Sequence, residues 1–224
     1  MKRSEVNSLI LDAIEFMNAM NFKLPAWAKW SPEDWKDRAA DCSSIRRSGL
    51  GWDITDFGGG EFLRLGLLLF TVRNADPAGG PAAKSYAEKI MVVREGQVTP
   101  MHFHWLKTED IINRGGGELV MTLYRASESD EGSFSDKPFA VSFDGVERLC
   151  KPAETIRLKP GESVTLTPRL YHSFWAEGGK TLVGEVSSAN DDANDNRFHK
   201  PCGRFPSIEE DCAPAHLLCT EVLR

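Results

Sequence analysis

Three histidines and a glutamate in this sequence have the types and spacing of metal ligands. His102 and His104 are two residues apart, so a β-strand places both imidazoles on one face. Glu109 follows after Trp-Leu-Lys-Thr, and His172 lies farther along the chain. Imidazole nitrogens with one carboxylate suit Mn, Fe, Zn, Co or Ni, and the sequence does not choose among these ions. We therefore predict one divalent metal ion bound by these four side chains.

The wider context makes this pattern more specific, because a His-x-His pair alone is typical of unrelated polar positions on an exposed strand. Gly96 stands six residues before the first histidine, and glycines at 115–117 close the segment. A second segment contains Gly161, Pro168 and His172 in the order Gly-x6-Pro-x3-His. These two segments resemble the two motifs of the cupin superfamily, whose members place such residues as metal ligands inside a small barrel.

Glu185 is a second carboxylate predicted to face the metal. Gly178 and Gly179 suit a two-residue hairpin turn that needs positive φ. With that turn His172 lies directly opposite Glu185, and opposed side chains share a face with Cβ atoms about 4.5–5.5 Å apart. A carboxylate inside the barrel must be a ligand, a base or an ion-pair partner, because burying it unpaired is costly. A turn longer by one residue would point Glu185 outward instead.

Two lysines are predicted near the same place. Lys89 lies in an apolar run that leads into a turn around Glu95 and Gly96, and a turn centred there pairs Lys89 opposite His102. Lys107 lies between the ligands in sequence, where its ammonium group could reach a substrate oxygen. For both lysines a solvated surface position is equally compatible with the sequence.

The rest of the sequence predicts a mainly β fold. From about Trp52, short runs rich in Val, Ile, Leu, Phe and Thr alternate with clusters of Gly, Pro, Asn and Asp. Such runs without intervening helical patterns are typical of a sandwich or barrel. Residues 74–83 and 127–138 are predicted surface loops. The predicted strands are 62–73, 89–94, 97–104, 109–113, 118–125, 154–158, 163–167, 171–176 and 181–187. With the metal motifs, they indicate a cupin barrel (a double-stranded β-helix, or jelly-roll) over 51–190, followed by a C-terminal segment at 191–224.

Residues 1–50 are predicted to form an N-terminal helical extension. Apolar residues recur at helical spacing over 4–21. A second helix starts with Ser31 as N-cap and Pro32 at the first helical position, and it is predicted to end near Ala40. These segments are too short to bury a core of their own. We therefore predict that they pack on the barrel and that the whole chain is one domain.

Composition argues against several other classes of protein. The net charge is −6 and the pI is about 5.5, so there is no basic stripe for nucleic acid. The longest apolar run, near 65–70, is too short to span a bilayer, and the N-terminus lacks the pattern of a secretory signal. The five cysteines are odd in number and form no CxxC pair, which predicts reduced thiols. We predict a cytoplasmic protein.

Three segments make the chain resemble the D-lyxose ketol-isomerases, a family of cupin-type sugar isomerases. They are EKIMVVREGQVTPMHFHWLKTEDIINRGGGELV, TPRLYHSFWAE and VGEVSSANDDANDNRF. The resemblance covers most of the chain and implies metal-dependent interconversion of D-lyxose and D-xylulose, and of D-mannose and D-fructose, typically with Mn²⁺. It implies metal binding by the four ligands above. It also implies active-site roles for Glu185 and Lys107, and sugar contacts for Lys89, Asp195 and Arg197.

The implied chemistry is compatible with these residue types. An aldose–ketose isomerisation moves a proton between C1 and C2 while the carbonyl and the adjacent hydroxyl are held together. A divalent metal stabilises the enediolate charge as a Lewis acid. Glu185 is predicted to remove and return the proton, and Lys107 to donate to the sugar oxygens. A hydride shift is an alternative that the sequence leaves open.

Two other functions are compatible with a metal-binding cupin. One is an iron-dependent dioxygenase, and the other is a carbohydrate-binding protein without catalysis in which the metal is structural. Glu185 and the nearby lysines favour sugar chemistry, because oxygenase sites need open coordination more than additional acid–base groups. A homodimer is predicted because cupin barrels often pair through sheet edges or helical extensions.

Overall fold

Three helices precede the first strand, and a short fourth helix follows the last one. The computed structural model describes residues 1–38, 41–76, 84–129, 132–191 and 194–222. Its helices are α1 (Arg3–Ala19), α2 (Pro32–Asp37), α3 (Ser43–Arg47) and α4 (Cys219–Val222), with a 3₁₀ turn at Ala26–Lys29. Its strands are β1 (Gly51–Thr55), β2 (Leu67–Arg73), β3 (Tyr86–Val93), β4 (Thr99–His104), β5 (Glu109–Arg125), β6 (Phe139–Phe143), β7 (Val146–Cys150), β8 (Glu154–Leu158), β9 (Ser163–Leu166), β10 (Leu170–Ser188) and β11 (Asn196–Phe198).

Two long strands, β5 and β10, connect the two layers of the barrel. They pair antiparallel along almost their whole length. Residues 181–188 of β10 and 109–116 of β5 lie in one layer, in the order β1-β2-β3-β10-β5-β9-β6-β7. Residues 170–177 of β10 and 118–125 of β5 lie in the other layer, with β4 and β11 on one side and β8 on the other. The predicted mainly β, cupin-type barrel is confirmed.

The predicted hairpin at Gly178 and Gly179 is wrong. Both glycines have positive φ, but they form an irregularity within the continuous strand β10, where the register with β5 shifts. On β5, Gly117 lies against this irregularity so closely that an added Cβ would be 2.5 Å from the carbonyl oxygen of Glu177. Glycine therefore permits a close crossing of two bent strands rather than a chain reversal.

The same correction changes the pairing of the site residues. His172 lies opposite His102 of β4 instead of Glu185. Glu185 lies between Lys89 of β3 and Ile111 of β5. The predicted pairing of Lys89 with His102 is also wrong, because β3 pairs with β2 and β10.

The other segment predictions agree in large part with the structure. α1 begins one residue earlier and ends two residues earlier than predicted, and the two segments predicted at 109–113 and 118–125 belong to the single strand β5. Ser31 caps α2 by accepting a hydrogen bond from the backbone of Asp34, 3.2 Å away. Ala40 and residues 77–83 of the first predicted loop lie outside the described residues. Strands β1, β6, β7 and β11 were not predicted.

α1 covers the outer face of the first layer. Its buried residues Val6, Ile10, Ala13 and Met17 pack with Trp52, Phe70 and Ile90 of β1, β2 and β3. Because side chains alternate along a strand, the neighbouring positions of the same strands face the barrel interior. The layer under α1 is therefore buried on both faces, and its inner face forms a wall of the site.

None of the described helices has the length and apolar character needed to cross a membrane.

Candidate active site

The three histidines of the predicted metal site lie together inside the barrel. His102 and His104 point from β4, and His172 points from the neighbouring strand β10. One ligand atom from each lies within 4.8 Å of the other two. All three side chains are buried. This spacing allows one ion to contact all three imidazoles.

Backbone carbonyl groups orient two of these rings. The Nδ1 atom of His102 lies 2.7 Å from the carbonyl oxygen of Pro100, and that of His172 lies 3.1 Å from the carbonyl oxygen of Leu170. A carbonyl oxygen only accepts, so Nδ1 carries the hydrogen and Nε2 keeps its lone pair. Carbonyl groups that accept a hydrogen bond from one ring nitrogen commonly orient metal-binding histidines in this way.

Burial also keeps these two rings uncharged. It lowers the pKa of His102 well below the ordinary value, and the neighbouring histidines act in the same direction. Burial likewise lowers the pKa of His172 to about 4, despite the opposite effect of the Glu109 carboxylate. Both imidazoles are therefore neutral near pH 7, the form that binds a metal.

Glu109 adds a carboxylate to the histidine cluster. Its Oε1 lies 3.3 Å from the Nε2 atoms of both His104 and His172. Oε1 is buried and has no hydrogen-bond partner among the described residues. Burial raises the pKa of this carboxyl group, but the Lys107 ammonium and the histidines outweigh it and hold the pKa well below the usual range. Oε1 of Glu109 is therefore an ionised oxygen that accepts no hydrogen bond and lies beside three imidazoles. These ligand types suit a divalent cation.

Two lysines connect this cluster to Glu185. The Nζ atom of Lys107 lies 2.7 Å from Oε2 of Glu109 and 2.9 Å from Oε1 of Glu185. Lys89 lies 3.5 Å from the same oxygen of Glu185. The Asn190 amide oxygen accepts hydrogen bonds from Lys89 at 2.6 Å and from Lys107 at 3.4 Å. Glu185 is buried and faces inward as predicted, although its predicted pairing is wrong. Both lysines are also buried, which is one of the two positions that the sequence left open for them.

These groups line one cavity between the two layers. The space inside it that the centre of a water-sized molecule can occupy is about 60 Å³. Apolar residues such as Leu69, Met91, Phe174 and Phe198 form much of its wall. The site therefore combines a cluster of ionisable groups with a largely apolar surround.

Several polar residues of this cavity were not predicted from the sequence. Arg204 donates a hydrogen bond to Asp53 at 2.8 Å, and both line the cavity. The Thr99 hydroxyl is buried on the same wall and has no partner among the described residues. Alternation along β1, with Trp52 packed against α1, could have indicated that Asp53 faces inward. Arg204 follows the last strand and carries no such signal.

Two predicted sugar contacts lie elsewhere. The cavity lining, as far as the structure describes it, includes neither Asp195 nor Arg197. Arg197 is exposed, on the short strand β11. Asp195 is buried, and its carboxylate accepts backbone hydrogen bonds from Leu106 and Lys107. Contact of either side chain with a sugar stays a prediction.

Comparisons with known proteins show which sequences and folds this chain is similar to. The sequence model of the D-lyxose isomerase family matches residues 1–222. A D-lyxose/D-mannose isomerase of Serratia proteamaculans is 50% identical, over 100% of this chain and 99% of the relative. One from Escherichia coli O157:H7 is 47% identical, over 99% of this chain and 98% of the relative.

Solved structures show the same fold at low sequence identity. An L-ribose isomerase of Cellulomonas parahominis aligns with a TM-score of 0.62 and 17% identity, covering 93% of this chain and 98% of that one. The Geodermatophilus obscurus L-ribose isomerase aligns with a TM-score of 0.59 over the same shares. With the whole-chain family match and the relatives near 50% identity, these observations show that the chain belongs to the D-lyxose isomerase family of sugar isomerases.

Proposed function

We propose that this protein is a metal-dependent aldose–ketose isomerase that interconverts D-lyxose with D-xylulose and D-mannose with D-fructose. The observation that carries the proposal is the buried contact of Lys107 with both Glu109 and Glu185 beside three histidines. This contact supports the proposal because an ammonium group and two carboxylates lie beside a histidine cluster that could hold a cation, in one cavity. The substrates are those in the names of the two relatives, together with the ketoses that isomerisation of these aldoses forms.

Four side chains are proposed to hold one divalent ion, for which we expect Mn²⁺. They are His102, His104, Glu109 and His172, which offer three imidazoles and one carboxylate oxygen without a donor. Zn²⁺, Co²⁺, Fe²⁺ and Ni²⁺ suit the same ligand types. When bound, the ion supplies Lewis-acid stabilisation of negative charge on the sugar oxygens.

Glu185 is proposed as the base that takes the proton from C2 of the aldose and returns it to C1, while the proton of the O2 hydroxyl passes to O1. Its carboxylate lies at the cavity wall, and Lys107 holds it from one side at 2.9 Å. Lys107 is proposed to donate a hydrogen bond to the sugar oxygens as negative charge develops on them. Lys89, 3.5 Å from the same oxygen of Glu185, is proposed to help hold it and to contact the sugar.

The surroundings of these groups support chemistry on a bound sugar. Apolar side chains such as Phe174 and Phe198 limit water around the reacting carbons, which strengthens each electrostatic contact. At another part of the wall, Thr99, Asp53 and Arg204 present groups that can bind hydroxyls. We propose that they bind the hydroxyl groups remote from C1 and C2.

We also propose that residues 1–224 form a single catalytic domain and that the protein is a cytoplasmic homodimer. The exposed apolar residues Val146 and Leu149 on the edge strand β7 support association between copies. Size-exclusion chromatography with light scattering tests the dimer, and a monomeric mass would contradict it.

A turnover assay of the purified protein tests the proposed reaction. The protein is stripped with a chelator, supplied with Mn²⁺ or another divalent ion, and incubated with D-lyxose or D-mannose. We expect D-xylulose and D-fructose, dependence on added metal, and no oxygen uptake. Oxygen uptake without ketose formation would support a dioxygenase. Sugar binding in calorimetry without turnover, with metal bound, would support a binding protein.

A further inference from the structure

The turn that carries Lys107 is held by a segment that follows the strand of Glu185. The two carboxylate oxygens of Asp195 accept the backbone N–H groups of Leu106 at 2.8 Å and Lys107 at 3.0 Å. The carbonyl oxygen of Asp195 accepts the N–H of Trp105 at 3.0 Å. Three consecutive backbone N–H groups of the turn therefore donate hydrogen bonds to Asp195.

These contacts make Asp195 a strong anchor for the backbone. Asp195 is buried, with 8% of its surface exposed. Hydrogen bonds from N–H groups to an ionised carboxylate are roughly twice as strong as neutral ones. Removing the carboxylate leaves the N–H groups of Leu106 and Lys107 without these acceptors, so the turn must rearrange or bind water.

A second residue of the same segment, Asn190, contacts the ammonium group of Lys107. The Asn190 amide oxygen accepts from the ammonium groups of Lys107 and Lys89. Asn74 fixes Asn190 in turn: its side chain accepts the Asn190 N–H at 2.9 Å and donates to the Asn190 carbonyl oxygen at 3.0 Å. Lys107 is therefore held at its backbone and at its ammonium group.

We infer that Asp195 and Asn190 are positioning residues that keep the Lys107 ammonium between Glu109 and Glu185. This role rests on the proposed function, because it matters for turnover only if Lys107 contacts the sugar. It gives Asp195 a role through Lys107 instead of direct contact with the substrate. It also explains why a segment remote from the metal motifs in sequence packs against them.

A graded series of substitutions tests the inference. Asp195→Asn keeps one acceptor oxygen and Asp195→Ala keeps none, so we expect kcat to fall in that order. A displacement of about 1 Å can cost about 100-fold in rate, which sets the scale expected for D195A. KM should change far less than kcat, and metal content should stay at the wild-type level. Equal kcat in all three proteins would overturn the inference.

A double-mutant cycle separates positioning from an independent structural role. If Asp195 acts through Lys107, the D195A K107A protein is no slower than K107A alone. Losses that multiply would contradict the inference. A crystal structure of D195A gives a second readout, since Lys107 should move away from Glu185. An unchanged distance of 2.9 Å between Nζ and Oε1 would likewise overturn it.

Asp211→Ala is the matched control. The Asp211 carboxylate also accepts a backbone N–H, from Ser4 at 2.9 Å, but outside the cavity lining. We expect wild-type kcat for D211A. The melting temperature of each variant shows whether it folds. If the wild-type protein forms no ketose, the proposed function itself is refuted.

Discussion

Replacing Glu185 with glutamine tests the proposed base with little change in shape. The amide oxygen can still accept from Lys107, which lies 2.9 Å from the present carboxylate oxygen. The negative charge beside Lys89 and Lys107 is lost, and with it the ability to take a proton. The four proposed metal ligands are untouched, so metal binding should persist.

The expected loss of turnover follows from the role of a general base. Such a group contributes about 10²–10⁴-fold to rate, which corresponds to about 3–5 kcal/mol of activation free energy. The free energy of unfolding should fall by about 1–3 kcal/mol, which leaves a protein of ordinary stability folded, because Asn190 and Glu109 still contact the lysines. The effect on kcat should therefore exceed any effect of partial unfolding.

The assay has three parts. Ketose formation from D-lyxose gives kcat, elemental analysis after dialysis gives metal content, and incubation in D₂O gives exchange of the transferred hydrogen. We expect E185Q to keep the metal and to lose both turnover and exchange.

The matched control is Glu177→Gln on the same strand. Glu177 is half-buried and paired with Arg157 at 2.7 Å, and it should be dispensable for turnover. Near-normal kcat in E185Q would remove Glu185 from the mechanism. Full turnover of wild-type protein without solvent exchange would favour a hydride shift.

The remaining predictions concern the ligand cluster, the cavity wall and the N-terminal helix. His172→Ala should lose its metal on dialysis while His216→Ala keeps it; unchanged metal content in H172A would refute that ligand. In chelated protein the pKa of His172 is lowered from 6.5 to about 4, so the unfolded chain takes up the proton first as the pH falls. The free energy of unfolding should therefore be fully present above about pH 6.5 and decrease towards pH 4, and urea titrations should show a smaller decrease for H172A. Thr99→Val should raise KM severalfold with little change in melting temperature, because one hydrogen bond to the sugar is worth about 0.5–1.5 kcal/mol; an unchanged KM would exclude that contact. Arg3→Met should lower the free energy of unfolding by about 2–4 kcal/mol, because the buried Arg3 guanidinium pairs with Glu210 and Glu221, and an unchanged urea midpoint would show that this pairing does not stabilise the fold.

The wrong hairpin prediction shows that local sequence signals do not determine which strands pair. Gly178 and Gly179 allow positive φ, and that freedom serves a tight turn and a bulge equally well. Which one forms depends on the partner strand. Glycines at 115–117 let β5 bend along with β10, so the two strands stay paired across the irregularity. Glu185 still faces inward, but its neighbours are Lys89 and Ile111 instead of His172.

Alternation along single strands explains why other predictions agree with the structure. His102 and His104 share a face because strand side chains have a period of two, and this holds whichever strands pair with β4. The types and spacing of His102, His104, Glu109 and His172 therefore suffice to predict a metal site inside a barrel. Capping of α2 by Ser31 is equally local.

The contacts that surround this site depend on tertiary structure. Asp53, Asn190 and Arg204 come from an early strand, a loop and the C-terminal segment, and each reaches the site through long-range packing. No local periodicity encodes such distances, because they depend on which strands pair and how the layers close. The sequence by itself predicted the barrel class and the cluster of three histidines that the structure brings together. The bend shared by β5 and β10 decided which lysines and carboxylates meet, because it sets how the two layers face each other across the cavity.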